Sequence, residues 1–422
     1  MRVAIITSDF SGFTGSEIVA MEVANYFAEK GNKVVIRAER HSNALRSYLN
    51  VKVKIADKRI DISDFDLVWS QHGHFSLNTT DLNRLKNWKG HFVSVHLSGY
   101  TPAETYHHPF AARYALSRVF NSSEAMDSLE VDTPLVGKSL NLMNAAPKEF
   151  HQPPRALVKK LRRLLVVSNH LPQEMQDAMK IAEGHGLKVS HLGLAGSPKL
   201  IRPADISEAD AIISIGKTVQ YSLCSARPVY CYDQFGGPGW LTVENFEKAE
   251  YKNFSGRCNQ KIKSAQTIFK ELTDGFEVSE AFVVSNWEHY CDKYNLDKFM
   301  DDLISKLSGN LFHMRNCIEE VSAMRGAVVH FEAIWRDVYS SSRKFQYSNP
   351  PSESTQARIF MLEDILTKYL ENPWMPLKDI LDRRMSSLAA KVFGHFSTGR
   401  KIRFANSARK RNPRRFKSPG RD

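Results

Sequence analysis

The sequence predicts an α/β protein with two doubly wound domains, each built on a parallel sheet. Short apolar runs alternate with helical patterns along the first 150 residues, which is the order of strands and helices that such sheets require. The alternation stops at a segment rich in proline and basic residues and then starts again. The chain has 422 residues, 42% of them hydrophobic, and is longer than one core usually accommodates.

The first domain is predicted over residues 1–150. VAIIT (3–7) is a continuous apolar run, typical of a strand buried on both faces, and a helical pattern follows over 16–31, where Gly31 is a natural stop. KVVIRA (33–38) then completes a β-α-β unit, which implies parallel strands. Further strands are predicted at 65–71, 91–97 and 117–123, and further helices at 80–88, 109–116 and 124–131. We therefore expect a Rossmann-like domain.

A second Rossmann-like domain is predicted over residues 151–308, where the alternation resumes after the linker APKEFHQPPRALVKKLRR. Its strands are predicted at 164–170, 188–194, 210–215 and 228–233, and its helices at 173–186 and 217–226. Beyond it we expect a helical extension (309–399), with a flexible connector inside it at 340–358, and a basic disordered tail (400–422).

The tail 400–422 carries most of the positive charge. It holds ten Lys or Arg and one acidic residue, and therefore nine of the twelve net charges of the chain. One interpretation is a solvated tail; another is attraction to an anionic membrane surface, where each basic residue contributes about 1 kcal/mol. No nucleic-acid-binding motif accompanies the tail, so we expect no nucleic-acid partner.

The sequence shows no membrane-spanning pattern and no disulfide pattern. No run approaches the roughly 18 apolar residues that span a bilayer, and no hydrophobic leader precedes the first strand. We therefore expect a cytoplasmic protein, peripheral on the inner face of the cytoplasmic membrane if the tail binds there. The five cysteines form no CxxC pair, which argues against a disulfide framework or a zinc knuckle.

The stretch ISIGKTVQYSL (213–223) raises the question of a phosphate site. A Walker A loop would need a glycine where this chain has Ala211, so a P-loop is excluded. A simpler site stays open, because a strand that ends at Gly216 and a helix that begins at Lys217 or Thr218 present free N–H groups and the positive helix end. The alternative is a glycine turn with a surface lysine.

The stretch PVYCYDQFGGPGW (228–240) is predicted as a strand followed by a loop with three glycines. Glycine lacks the Cβ that would collide with a ligand, so such a loop lets the main chain approach one closely. Neighbouring strand ends of a parallel sheet face the same crevice. We therefore expect Gly236 and Gly237 beside Gly216.

Five segments together resemble the GT-B glycosyltransferases of the group 1 type (glycosyl transferase family 4-like), in which two Rossmann-like domains face a cleft. The segments are TGSEIVAMEVANYFAEKGNKVVI (14–36), DLVWSQH, FVSVH, RVFNSSEAMDSL and SARPVYCYDQFGGPG, in the family's order over about residues 1–300. The resemblance implies metal-independent transfer of a sugar from a nucleotide-sugar co-substrate, without a cofactor. The implied acceptor is a glycan or lipid-linked molecule, as in bacterial surface polysaccharide biosynthesis.

The resemblance also implies site residues. His96 would position or deprotonate the acceptor hydroxyl, with Asp9 or Glu17 behind it, although a hydrogen-bonded structural histidine is the alternative. The implied donor-binding residues are Gly15, Ser168, Asn169, His170, Gly216, Lys217, Thr218, Gln220, Gly236 and Gly237.

Two departures from the family keep other functions open. Ser168-Asn169-His170 stand where the family has Arg and Lys, and Ile213 and Tyr221 stand where it has two acidic residues. A catalytically inactive GT-B-like binding or scaffold protein is therefore the first alternative, and a basic nucleic-acid-associated protein is the second. A zinc hydrolase built on His72-Gly73-His74 is disfavoured, because Ser76 stands where an HxHxD site needs a carboxylate, and we expect no metal.

Overall fold

The computed structural model describes residues 1–72, 75–78, 81–99, 102–105, 107–130, 137–193, 196–307 and 321. The predicted extension 309–399, apart from residue 321, and the predicted connector and tail lie outside the described residues. Within these ranges no helix is both long and apolar enough to cross a membrane.

The first sheet has seven strands, all parallel. They are β1 (Arg2–Phe10), β2 (Lys33–His41), β3 (Val53–Ala56), β4 (Leu67–Gln71), β5 (His91–His96), β6 (Ser117–Phe120) and β7 (Lys138–Asn141). Their order across the sheet is β3-β2-β1-β4-β5-β6-β7. Ala4 and Ile5 of β1 and Trp69 of β4 are fully buried, as the apolar runs predict for a sheet covered on both faces.

The second sheet has five strands. They are β8 (Arg163–Val167), β9 (Lys188–Leu192), β10 (Ala211–Ile213), β11 (Val229–Asp233) and β12 (Gly236–Trp240), in the order β12-β11-β10-β8-β9. All neighbours are parallel except β11 and β12, which form an antiparallel pair. The chain therefore contains two doubly wound α/β domains, as predicted.

The helices follow the predicted alternation closely. They are α1 (Gly15–Glu29), α2 (Leu82–Lys86), α3 (Pro102–Thr105), α4 (His108–Tyr114), α5 (Ser123–Glu130), α6 (Gln173–Gly184), α7 (Pro203–Ser207), α8 (Lys217–Cys224), α9 (Phe246–Tyr251), α10 (Ala265–Asp274), α11 (Phe276–Ser285), α12 (Trp287–Lys293) and α13 (Leu296–Leu307). Short 3-10 turns lie at Arg46–Tyr48, Ile62–Asp64, Ser76–Asn78, Lys148–Phe150 and Gly256–Cys258. The chain leaves α1 through Gly31 at φ 81°, the left-handed stop predicted there.

Three strands differ from the prediction. The sequence reasoning missed β3 and β7, which are four residues long and expose one or more side chains, so they lack the continuous apolar run of a buried strand. The predicted glycine loop after residue 233 was wrong, because residues 236–240 form β12. Proline is tolerated at Pro238 because β12 is an edge strand.

The last described helix, α13, packs on the first domain rather than on the second. Leu296, Met300, Leu303 and Leu307 join the apolar core that α1 forms with the first sheet. Burying each of these side chains contributes about 1.5–3 kcal/mol. Asp301 of α13 accepts hydrogen bonds from Tyr26 and Lys30 of α1. The chain segment after the second sheet therefore ties the two domains together.

Candidate functional site

Each sheet has one point at which the strand order reverses. In the first sheet the reversal lies between β1 and β4, and in the second it lies between β8 and β10. Open α/β sheets bind ligands outside the carboxyl ends of their strands at such reversals. The two places are termed the first switch point and the second switch point.

Several contacts between the domains involve a residue that follows the carboxyl end of a strand. Nζ of Lys217, which follows β10, donates to the backbone oxygen of Ala145, which follows β7, over 3.0 Å. Glu124, which follows β6, pairs with Lys252 and Arg257 of the second domain, each at 2.6 Å. The two carboxyl edges therefore face one another, and the chain has the GT-B arrangement that its sequence predicts.

The ammonium group of Lys217 lies in a buried ion pair between the domains. It is 2.7 Å from the carboxylate of Glu22 in α1, and both side chains are less than a tenth exposed. The hydroxyl of Tyr221 donates to the same carboxylate. Burial raises the pKa of Glu22, although the charge of Lys217 and both hydrogen bonds act in the opposite direction. In this structure Lys217 thus ties the start of α8 to α1.

A second pair of cations lies at the same interface. The side chains of Lys252 and Arg257 are about one third exposed, whereas that of Glu124 between them is almost completely buried. Tyr251 adds a hydrogen bond to Asp127 of α5 at 2.9 Å. Sequence reasoning missed these two cations, because the stretch YKNFSGRC that carries them follows no strand and matches no motif.

Three residues in the left-handed backbone region hold the start of α8 at the interface. They are Asn144 (φ 53°), Asn253 (φ 52°) and Gly216 (φ 58°). The side chain of Asn144 donates to that of Asn253 over 2.9 Å, and the N–H of Gly216 donates to the backbone oxygen of Asn253 over 3.2 Å. Asn and Gly are the residues that adopt this conformation most readily. The segment that follows β7 and the turn after α9 therefore meet beside Gly216, through Asn253.

The structure brings the predicted residues after β8 and β10 together at the second switch point. The hydroxyl of Ser214 donates to the backbone oxygen of Val167 over 2.8 Å, which joins the two strand ends. Ser168 and Asn169 are half-buried and His170 is exposed. On the other side, Thr218 and Gln220 are buried, and Oε1 of Gln220 has no hydrogen-bond partner among the described residues.

Gly236 and Gly237 lie at the carboxyl end of β11, yet packing within the protein accounts for both. A Cβ on Gly236 would lie 2.2 Å from the backbone oxygen of Lys261, and one on Gly237 would lie 2.1 Å from that of Cys231. Both distances are far below van der Waals contact. These glycines therefore let backbone segments pack closely, and their role toward a donor stays a prediction.

In the first domain, Gly15 has a different environment. It is the exposed first residue of α1, and a Cβ built there meets nothing within 4 Å. Glu17 is buried and accepts three backbone hydrogen bonds of 2.8–2.9 Å, from Ser11, Gly12 and Thr14. Glu17 therefore shapes the loop that precedes α1, and Gly15 leaves space open at its end.

Asp9 and His96 are both engaged within the protein. The carboxylate of Asp9 pairs with Arg40 at 2.7 Å. The ring of His96 is fully buried, and its Nδ1 lies 2.9 Å from the backbone oxygen of Glu104. Burial lowers the pKa of His96 to about 4. His96 stands at the end of β5 as predicted, but no atom of its side chain reaches the surface in this conformation.

The first switch point carries a polar array that the sequence reasoning did not assign. Nδ1 of His72, directly after β4, lies 3.0 Å from the hydroxyl of Ser8 and 3.0 Å from that of Thr7. Nε2 of the same ring lies 3.0 Å from the carboxylate of Glu104. The sequence signal for this array is a histidine directly after a buried strand. The carboxylate partner of His72 lies 32 residues further along the chain, and no spacing rule links the two.

Neither a metal-ligand cluster nor the surface depression of the first domain adds a candidate site. The described residues contain no group of three or more His, Cys, Asp or Glu that could hold a metal ion, and His74 lies outside them. An open depression of about 700 Å³ is lined by Arg84, Trp88 and other residues at the amino-terminal edge of the first sheet. That edge is opposite to the one at which such sheets bind ligands.

No family model and no curated protein matches the chain. Among solved structures, the chain is similar to a sucrose-phosphate synthase from Thermosynechococcus elongatus, at 10% identity and a TM-score of 0.46, covering 73% of this chain and 99% of that one. A glycosyltransferase from Rickettsia africae has 11% identity and a TM-score of 0.43, with coverage of 73% and 99%. A UDP-GlcNAc 2-epimerase from Neisseria meningitidis has 13% identity and a TM-score of 0.44, with coverage of 74% and 100%. At these values the likenesses give no information on what this chain binds or does.

Proposed function

We propose that the protein is a glycosyltransferase that moves a sugar from a nucleotide-sugar donor to an acceptor hydroxyl. The observation that carries this proposal is the meeting of two ligand-binding edges at one interface. The second switch point offers the start of α8 to a diphosphate, and the first offers polar side chains to an acceptor. A reaction between two substrates of different chemistry needs such a pair of facing sites.

The leaving nucleoside diphosphate requires positive charge at the second switch point. The amino end of α8 supplies a partial positive charge, which favours anions in this position. Lys252 and Arg257 flank Asn253, whose backbone oxygen accepts from Gly216 at the start of the helix. On donor binding, these two cations would exchange part of their contact with Glu124 for the diphosphate, which would stabilise the charge that develops there.

Lys217 has a different role in this proposal. Its ion pair with Glu22 sets the position of α8 against α1, so it shapes the donor site without being the first cation to touch phosphate. His96, Asp9 and Glu17 remain predictions for the acceptor side. The identity of the acceptor as a glycan or lipid-linked molecule, the part in bacterial surface polysaccharide biosynthesis, and the attachment of the tail to a membrane remain finer parts of the same proposal.

A nucleotide-binding scaffold without transferase activity is the second candidate. The burial of Lys217 against Glu22 favours it, because the lysine predicted to neutralise phosphate is already neutralised by a carboxylate. The two candidates differ in one measurable property. A transferase releases the nucleoside diphosphate from a nucleotide-sugar, whereas a scaffold binds the nucleotide-sugar and leaves it intact.

Melting temperatures measured with UDP, GDP, CDP, ADP and their sugars test the donor site, because a ligand that binds the folded state raises its stability. We expect a rise with one nucleotide and its sugar, and a smaller rise in Arg257→Ala. Arg84→Ala is the matched control, since Arg84 also pairs with carboxylates but lies at the opposite edge of the first sheet. A folded wild-type protein that responds to none of the ligands would contradict both candidates.

A further inference from the structure

The array at the first switch point consists of a hydroxyl, an imidazole and a carboxylate in line. The hydroxyl of Ser8 lies 3.0 Å from Nδ1 of His72, and Nε2 of His72 lies 3.0 Å from the carboxylate of Glu104. The second oxygen of Glu104 accepts from the backbone N–H of Leu97 over 3.0 Å. The imidazole therefore contacts the hydroxyl with one nitrogen and the carboxylate with the other, and the backbone fixes the carboxylate in turn.

The hydrogen bonds determine which ring nitrogen of His72 carries the proton. The backbone N–H of Ser8 points at Nδ1 over 3.2 Å and can only donate, so Nδ1 is the acceptor. The proton of the neutral ring is then on Nε2, where Glu104 accepts it. This arrangement leaves a basic nitrogen facing the hydroxyl of Ser8 and a carboxylate behind the ring to stabilise an imidazolium.

The surroundings mark the array as more than a packing detail. His72 has φ 55°, a backbone conformation that is unfavourable for a residue other than glycine and is found most often at functional sites. The preceding Gln71 is completely buried, and neither atom of its amide has a hydrogen-bond partner among the described residues. A buried amide in that state is destabilising unless another molecule supplies its hydrogen bonds.

Exposure determines which member can meet a substrate. His72 is 7% exposed and Glu104 is 5% exposed, whereas Ser8 is only half-buried, at the open end of β1. Thr7 shares the same nitrogen, but it is 1% exposed. A proton from outside can therefore reach His72 most directly through the hydroxyl of Ser8.

We propose that Ser8 is the catalytic residue that receives the acceptor proton and relays it to His72, which Glu104 positions. This inference rests on the proposed glycosyl transfer. As the acceptor oxygen bonds to the anomeric carbon, the bond from that carbon to the diphosphate breaks. The acceptor proton moves to Oγ of Ser8 while the proton of Ser8 moves to Nδ1 of His72, and the nucleoside diphosphate leaves with the electron pair.

The charges around the array suit this transfer. Burial alone would raise the pKa of Glu104, but the charge that His72 carries once it is protonated, its hydrogen bond, and then the N–H of Leu97 hold that pKa below its usual value, so the carboxylate is ionised at neutral pH. The other ionisable groups that the described residues bring to this side include His96 of β5, which stacks on His107 and contacts His108 of α4, Arg118 of β6 with Glu130, and Asp9 of β1, which pairs with Arg40. Burial lowers the pKa of His96 and of His108, so neither is protonated near neutral pH.

The test measures release of nucleoside diphosphate from UDP-glucose, UDP-GlcNAc and GDP-mannose over a range of pH, with water as the acceptor that takes the sugar, together with the Kd of the free diphosphate. We expect Ser8→Ala to lower the release rate by about 100-fold, with the Kd unchanged, since a positioned proton acceptor contributes 10²–10⁴-fold. Ser8→Thr, which keeps a hydroxyl, should restore most of the rate. Glu104→Gln should lower the rate. It should also shift the pH at which the rate rises to a lower value, because loss of the carboxylate makes the imidazolium of His72 less stable.

Ser42→Ala is the matched control. Ser42 is half-buried like Ser8, but its hydroxyl donates to the backbone oxygen of Ser11 over 2.8 Å and makes no hydrogen bond to His72, so the release rate of Ser42→Ala should equal that of wild type. A normal rate and pH profile in Ser8→Ala would overturn the relay and leave the transferase proposal intact. If the wild type neither binds any diphosphate nor releases one from any donor, the proposed function is overturned. The relay, which rests on that function, is then overturned as well.

Discussion

The two switch points are built alike but use their residues in opposite ways. At the second, residues with a sequence pattern typical of phosphate binding are occupied by the protein itself: Lys217 pairs with Glu22, and Gly237 makes room for the backbone of Cys231. At the first, Ser8, which lies in no motif, and His72, which the sequence suggested only for a disfavoured metal site, form an array with a basic nitrogen behind a half-buried hydroxyl. The type of residue at a strand end thus indicates where a site can lie. Only the contacts of that residue show whether its side chain is available to a ligand.

The largest effect should come from the glycines of β12. Gly237→Ala places a Cβ 2.1 Å from a backbone oxygen and 2.7 Å from the Cα of Tyr232, so main chain must move. We expect a loss of about 4 kcal/mol or more in the free energy of unfolding, with much of the protein insoluble. Denaturant unfolding of the soluble fraction measures it. A fully stable Gly237→Ala with weakened nucleotide binding would show that the glycine serves a ligand after all.

Breaking the buried ion pair between the domains should have the next largest effect. Lys217→Met leaves Glu22 buried without its cation, which costs about 3–5 kcal/mol. Lys30→Met is the matched control, since the pair of Lys30 with Asp301 is about half exposed and such pairs contribute about 0–1 kcal/mol. Urea unfolding of both variants measures the difference. Equal losses would contradict a structural role for Lys217.

A pH effect should distinguish a buried His96 from an exposed catalytic base. Because the pKa of His96 is lowered from 6.5 to about 4, the unfolded chain takes up a proton first as the pH falls. Its contribution to stability is present above pH 6.5 and is lost between pH 6.5 and 4, about 3 kcal/mol in total. The unfolding free energy of wild type should therefore fall more steeply over this range than that of His96→Gln. Parallel curves would mean that solvent reaches His96.

The smallest stability effect should be at Gly15. A Cβ there meets nothing, and alanine favours helix, so Gly15→Ala should change the free energy of unfolding by less than about 1 kcal/mol. A larger side chain, as in Gly15→Val, should weaken nucleotide-sugar binding while the protein stays folded, because it fills the space at the amino end of α1. Calorimetric titration measures this. Unchanged affinity in Gly15→Val would remove Gly15 from the donor site.

The sequence predicted most of the fold because buried parallel strands are continuous apolar runs and their helices have clear stops. It missed β3 and β7, whose side chains are partly exposed, and it mistook β12 for a loop because close backbone packing and ligand approach both require glycine. A strand end can be recognised locally, so His96 and Gly216 were placed at the correct edge.

The contacts of those residues could not be predicted in the same way. Glu22 and Lys217 are 195 positions apart, and Glu104 reaches the turn that carries His72 from α3, so each pair depends on how distant segments pack. The same limit applies to Lys252 and Arg257, which contact Glu124 only because their segment of the second domain packs against α5.

The central claim is that the two carboxyl edges meet at one site, so that a nucleotide-sugar bound at the second switch point also contacts the loop before α1 at Gly15. Hydrogen exchange measured by mass spectrometry, with and without the nucleotide-sugar that raises the melting temperature, tests it most directly. We expect slower exchange both in the loop before α1, over residues 8–16, and at the start of α8, over residues 214–220. Protection confined to one of these segments, with the other unchanged at saturating ligand, would contradict the claim.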